Sequence, residues 1–117
     1  MRDCHRALRP GGVFRISLPA FERMFEAYLK RDESYFDLVD IKELLPDVEP
    51  ETLTLVDHVN YGVYQYGEHK VILDEEKTIS LLRQAGFATV AAADYKEGID
   101  PPSALRRRYS FYVEAVK

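Results

Sequence analysis

Residues Arg9-Pro10-Gly11-Gly12 constrain this chain more than any other stretch, because they reverse its direction and separate two different periodicities. Proline fixes φ and glycine accepts φ > 0, so Pro10-Gly11 suits the middle of a type II turn. Upstream, Asp3 to Leu8 reads as the last turn of a helix. Downstream, Val13-Phe14-Arg15-Ile16-Ser17-Leu18 alternates, with Phe14, Ile16 and Leu18 on one face and Val13, Arg15 and Ser17 on the other. That alternation predicts a strand. Pro19 ends it.

The remaining pattern is helical first and extended later. Phe21, Met24, Phe25, Tyr28 and Leu29 recur at helical spacing, with Glu22, Arg23, Glu26 and Lys30 turned to water. Leu38, Val39, Ile41, Leu44 and Leu45 suggest a short helix, and Pro46 and Pro50 bracket an acidic turn. Residues 51 to 66 fit a helical face through Leu53, Val56, Val59 and Val63, yet their β-branched and Tyr content also favours extended chain. The reading taken is a helix through Asn60 that breaks at Gly62. Asp74 is placed as the N-cap of a helix with Glu75 and Glu76 in its first turn, and Gly86 as the residue that stops it. Strands are expected over Ala88 to Tyr95 and Tyr109 to Val116, joined by a turn-rich loop from Lys96 to Pro102.

Composition narrows the class of protein. With 117 residues the chain is expected to form a single domain spanning 1–117, since two independent cores would each be marginal. An apolar content of 46% excludes disorder, and a formal net charge of −4 excludes a general binder of nucleic acid or anionic membrane. Cys4 is the only cysteine, so no disulfide or cysteine-based zinc cluster forms within one chain. The first residues are charged, and no long apolar run follows. A soluble cytoplasmic protein is expected.

The run His5-Arg6-Ala7-Leu8-Arg9-Pro10-Gly11-Gly12-Val13-Phe14-Arg15-Ile16-Ser17-Leu18-Pro19 resembles the "R-x-L-K-P-G-G-x-x-x-I-S-x-P" stretch of class I S-adenosylmethionine-dependent methyltransferases. In that family it links the fourth helix to the fifth strand. Tyr66-Gly67-Glu68-His69-Lys70-Val71-Ile72-Leu73-Asp74, followed by Leu81-Leu82-Arg83-Gln84-Ala85-Gly86-Phe87, looks like the "G-H-K…L-L-x-x-A-G-F" stretch before the sixth strand, and Tyr112-Val113-Glu114-Ala115 like the closing strand. The likeness points most closely to methyltransferases of the type 11 kind. It implies an α/β, partial Rossmann-like methyltransferase fold with a three-stranded mixed sheet and helices, ordered Val13 to Leu18, Tyr109 to Val116, Ala88 to Tyr95. The terminal strand would run antiparallel to the other two.

The family's cofactor sits on a Gly-rich loop after its first strand and on an acidic residue ending its second. Neither has a counterpart here, since the glycines stand at 11, 12, 62, 67, 86 and 98. The expectation is therefore the C-terminal, substrate-side portion of such a methyltransferase, lacking the cofactor-binding half. It would bind no cofactor alone, although S-adenosylmethionine is implied for a complete family member. The alternative is a non-enzymatic interaction or regulatory module that binds a partner through an open sheet edge. Either way the first strand lacks its outer neighbour, so a homo-oligomer, the helical middle segment folded over it, or a complementary cofactor-binding chain is expected to cover it.

Candidate substrate contacts follow from the same likeness. Ligands of open α/β sheets gather at strand carboxyl ends, here Ser17, Leu18 and Pro19, although that point equally suits a plain strand-to-helix connection. His58, Asn60, Tyr61, Tyr64, Tyr66 and His69 form the densest polar-aromatic cluster. In the family the corresponding insertion often caps the substrate site, where imidazole serves as a base and Tyr rings as a wall. The competing reading has the Tyr rings covering a core and His69 bonding locally. His58 and His69 lack metal-ligand spacing. Arg106-Arg107-Arg108 is read as a solvated loop, and Asp74-Glu75-Glu76 as helix capping.

Overall fold

Helix α1 (Arg2–Ala7) runs directly into the predicted turn, which a computed structural model of residues 1–117 shows in detail. Gly12 N–H donates to Arg9 O at 2.9 Å, and Gly11 sits at φ +73°, as the third residue of a type II turn requires. Gly11 N–H donates to Lys117 O at 2.8 Å while Lys117 N–H donates to Gly12 O at 3.0 Å. Two residues thus oppose one, which is a G1 bulge with glycine in its left-handed position. The Lys117 ammonium also donates to Leu8 O at 2.8 Å, meeting a carbonyl left orphaned at the end of α1.

The chain divides into two compact units, Met1–Pro19 with Leu73–Lys117, and Ala20–Ile72. The first is an α/β layer. Strands β1 (Val13–Pro19), β2 (Thr89–Ala93) and β3 (Ser110–Val116) form a three-stranded sheet in the order β1-β3-β2. Both ladders are antiparallel. The order and strand directions are those expected, but the sheet is not mixed. β3 lies between β1 and β2, so the two strands that point the same way never pair.

Register sorts the sheet into two faces. Phe14, Ile16 and Leu18 stand opposite Ala115, Val113 and Phe111, and Val90 and Ala92 oppose Ala115 and Val113. Helix α5 (Glu75–Gln84) packs on β2 and β3, burying Thr78 and Leu82. Asp74 caps it as expected, its Oδ1 accepting from Lys77 N–H at 2.6 Å. The helix stops in a Schellman motif: Gly86 N–H reaches Arg83 O at 3.0 Å, Phe87 N–H reaches Leu82 O at 3.4 Å, and Gly86 lies at φ +104°. Phe87 then stacks on Phe14 at 5.8 Å and meets the edge of His5 at 5.0 Å.

One correction falls in this unit. Arg106 to Arg108 lie on a short helix, α6 (Ala104–Tyr109), capped by Ser103, instead of in a loop, with Arg106 and Arg107 solvent-exposed as expected. Their charges are engaged: Arg106 Nη1 donates to Ser17 Oγ at 3.1 Å, and the Arg107 guanidinium lies 4.4 Å from the Tyr95 ring centroid.

The second unit is helical. Helix α2 (Phe21–Lys30) buries Phe21, Met24 and Ala27, which cluster with Phe36 against Tyr28, Tyr35, Leu55, Val59 and Val63. Leu29, expected on that face, is 79% exposed. Two short elements follow, a 3-10 turn Glu33–Phe36 and helix α3 (Ile41–Leu44), whose N-cap Asp40 accepts from Lys42 N–H at 3.0 Å. Helix α4 (Leu55–Tyr64) does not break at Gly62. A Cβ there would lie 2.7 Å from Met24 Sδ, so glycine serves close helix approach instead of termination.

Candidate functional site

The expected cluster lies at and beyond the C-terminal end of α4. His58, Tyr61 and Tyr64 are on the helix, and His69 is on the segment after it. The chain is turned back by successive left-handed residues, Gln65 at φ 39°, Tyr66 at φ 54° and Gly67 at φ 84°. A bulky residue rarely adopts this conformation. Tyr66 is held in it by a hydroxyl that donates to Leu44 O and by an edge-to-face contact with Tyr61 at 5.8 Å.

The reversal brings His69 onto the last turn of α4. Its Nδ1 lies 2.9 Å from Gly62 O, one of the carbonyls a helix end leaves without a partner. A carbonyl only accepts, so Nδ1 carries the hydrogen and Nε2 of the neutral ring presents a lone pair. The Phe21 ring meets the imidazole nearly at right angles, with centroids 6.0 Å apart. His69 thus has a fixed tautomer, a fixed ring plane and a basic nitrogen.

The other candidates do not converge on it. The His58 ring packs on Phe36 at 5.0 Å, and burial pushes its pKa below the ordinary histidine value, against the opposing pull of Asp57 and Asp40. It packs as a half-buried histidine against the helical unit's core. Tyr64 is 64% exposed. Pro19 closes β1 in the other unit. Of the predicted residues, Tyr61 and His69 share the end of α4, while His58 and Tyr64 turn elsewhere.

A second polar cluster, on the sheet face opposite α5, is only partly visible in the sequence. Arg15 Nε and Nη2 grip both Asp100 oxygens at 2.8 and 2.6 Å, Nη1 donates to Glu114 Oε1 at 2.8 Å, and Nη2 also reaches Asp94 O at 2.5 Å. The guanidinium lies 5.0 Å from the Tyr112 ring centroid. Asp100 accepts further from Lys96 N–H at 2.6 Å, and Tyr112 OH donates to Arg106 O at 3.0 Å. The hydrogen bond from Arg15 holds the Asp100 carboxyl below the usual range, and desolvation pushes the Tyr112 phenol up. Arg15 and Glu114 share a face by register alone, a signal present in the two alternating strands. Asp100 arrives from a loop and carried no such signal.

With its donors spent in this way, the Arg15 cluster fastens the 94–103 loop and α6 to the sheet and leaves little charge for a ligand. No group of His, Cys, Asp or Glu is arranged to hold a metal ion, and no helix is long and apolar enough to cross a membrane. Compared with protein-family models, with curated proteins and with solved structures, the chain matches none.

Proposed function

We propose that this chain is the substrate-side portion of an S-adenosylmethionine-dependent methyltransferase, with a partial Rossmann-like fold, and that it is not catalytic alone. The observation that carries the reading is the sheet order β1-β3-β2 with β3 antiparallel to both neighbours. That is the arrangement which the likeness over His5 to Pro19, Leu81 to Phe87 and Tyr112 to Ala115 implies. On this reading the helical unit Ala20–Ile72 corresponds in sequence to the substrate-capping insertion, and His69, whose Nδ1 is engaged by Gly62 O, is its candidate base.

The chain's own residues do not fit the cofactor. The Gly11 and Gly12 amides are consumed by Lys117 and Arg9, and Gly86 closes a helix, so neither place offers a glycine loop opening from a strand into a helix. S-adenosylmethionine is therefore assigned to a complementary half, either in the same polypeptide or in a separate chain. The cytoplasm is the proposed compartment, in keeping with a single cysteine.

Titration calorimetry with S-adenosylmethionine tests the first part: no heat of binding is expected from this chain. A chimera placing the cofactor-binding half of a class I methyltransferase before Met1 tests the second. It should fold cooperatively and bind S-adenosylmethionine. Tight stoichiometric binding by the chain alone, or a chimera that folds only in its grafted half, overturns the reading.

A further inference from the structure

Between β2 and α6 lies a loop, residues 96–102, whose one buried member is an acid. Asp100 is 8% exposed, while Lys96, Glu97, Gly98, Ile99, Pro101 and Pro102 all face solvent, Ile99 by 63%. No apolar side chain of the loop is buried, so the hydrophobic term that ordinarily fixes a loop to its sheet is missing. Its flanks are better held. Tyr95 meets the Tyr112 ring at 6.0 Å and lies under the Arg107 guanidinium, and Ser103 caps α6 through Arg106 N–H at 3.3 Å.

The Asp100 carboxylate serves two roles at once. Its Oδ1 accepts from Arg15 Nε at 2.8 Å, and its Oδ2 accepts both from Arg15 Nη2 and from Lys96 N–H, each at 2.6 Å. The bond from Lys96 closes a turn in which Ile99 N–H and Asp100 N–H reach Lys96 O at 3.1 and 2.8 Å, around Gly98 at φ +81°. The group that pins the loop to β1 is therefore the group that folds it. The other tie to the sheet, Lys96 Nζ to Glu114 Oε1 at 3.6 Å, is long and exposed on the lysine side, and such pairs contribute little.

Arg15 keeps an acid partner whether or not the loop is in place. Glu114 stands directly opposite it on β3 and accepts from Nη1 at 2.8 Å. Breaking a buried ion pair is costly chiefly because one charge is left without a partner. Here departure of the loop would carry Asp100 into water and leave Arg15 with Glu114.

We propose that residues 96–102 form a strap that lifts from the sheet as one unit, hinged at Tyr95 and Ser103, while the three strands and α6 stay folded. Closed and open forms differ in a single exchange, Asp100 on Arg15 or Asp100 in water. Because one carboxylate both folds and pins the strap, the turn and the anchor are lost together, which makes the element two-state. Lifting bares the guanidinium fork of Arg15. The device is independent of the methyl-transfer reading, since every residue in it belongs to the α/β unit.

Hydrogen exchange of single amides, followed by NMR, reads the opening. In the wild-type chain the N–H groups of Lys96, Ile99 and Asp100 should share one opening free energy and exchange ahead of Ile16 and Val113 in the β1–β3 ladder. Asp100→Asn removes the charge from the pin and should speed the three strap amides about tenfold or more. Glu114→Gln should act the other way. It leaves Arg15 without an acid only when the strap is open, so opening becomes rarer and the strap amides should exchange several-fold more slowly. Strap amides that exchange only together with the ladder, or each at its own rate, overturn the proposal. Glu114→Gln failing to slow them overturns it equally. Should Asp100→Asn not fold, the wild-type pattern and Glu114→Gln decide.

Discussion

Thr78 offers the most direct test of how the α/β unit is held together. It is 0% exposed on α5, one turn before the equally buried Leu82, and its Oγ1 has no hydrogen-bond partner. The Asp74 carbonyl one turn back accepts the Thr78 backbone N–H at 3.0 Å and not the hydroxyl. A buried hydroxyl without a partner costs about 1–3 kcal/mol. Valine has the same shape, and the two residues differ little in helix propensity. Thr78→Val should therefore stabilise the protein by about 1–2 kcal/mol, the desolvation penalty removed without a cavity. With urea slopes of about 1–3 kcal/mol per molar in small proteins, the midpoint should rise by about 0.5–1 M with no change in slope. Thr78→Ser provides the opposite arm: it keeps the hydroxyl and deletes a buried methyl, costing about 1 kcal/mol. Equilibrium urea unfolding followed by circular dichroism reads both. A lower midpoint for Thr78→Val would refute the reasoning, because it would mean that the hydroxyl is satisfied in solution and supports the helix.

Gly86→Ala should destabilise by about 1–2 kcal/mol, since a Cβ at φ +104° meets the left-handed penalty and the Schellman closure depends on that conformation; thermal unfolding measures it. Acid should weaken the protein in two stages. The His58 pKa is depressed by burial, so the unfolded chain takes up its proton first, and the stability His58 contributes is full above the ordinary value of about 6.5 and is lost as pH falls through the folded value. His58→Phe should remove this upper stage. The Asp100 carboxyl is depressed chiefly by its hydrogen bond from Arg15, so its contribution is full above about 4 and is lost at lower pH. Asp100→Asn should remove the lower stage, and urea midpoints across pH 3 to 8 would reveal either failure.

The parts of the fold legible in the sequence are those decided within a few residues. The turn at Pro10-Gly11, the Asp74 cap, the Gly86 stop and the Val13 to Leu18 alternation each rest on a local rule, and each stands in the structure. The family likeness supplied the strand order, which no local rule contains. What failed were readings in which a distant partner decides. Gly62 looks like a helix breaker until Met24 is seen pressing on it, and Arg106 to Arg108 look like a loop although they form a short helix whose Arg106 and Arg107 reach Ser17 and Tyr95. Leu29 satisfies the helical period yet faces water, because Ala27 and Met24 turn the buried stripe of α2 the other way.

The candidate site follows the same division. A dense run of His and Tyr marks where polar and aromatic side chains accumulate, but on a helix, closeness in sequence spreads residues around an axis instead of gathering them. His58 therefore turns to Phe36 and Tyr64 to solvent, while Tyr61 and His69 meet the left-handed reversal. That reversal stores strain in Tyr66 to place one imidazole against one orphan carbonyl, at a helix end that Lys or Gly could have closed more simply. The added constraint fixes which nitrogen of His69 is free. A histidine serving only as a cap needs Nδ1 bonded. That condition is met at this position, and it leaves Nε2 as the nitrogen not engaged by the Gly62 carbonyl.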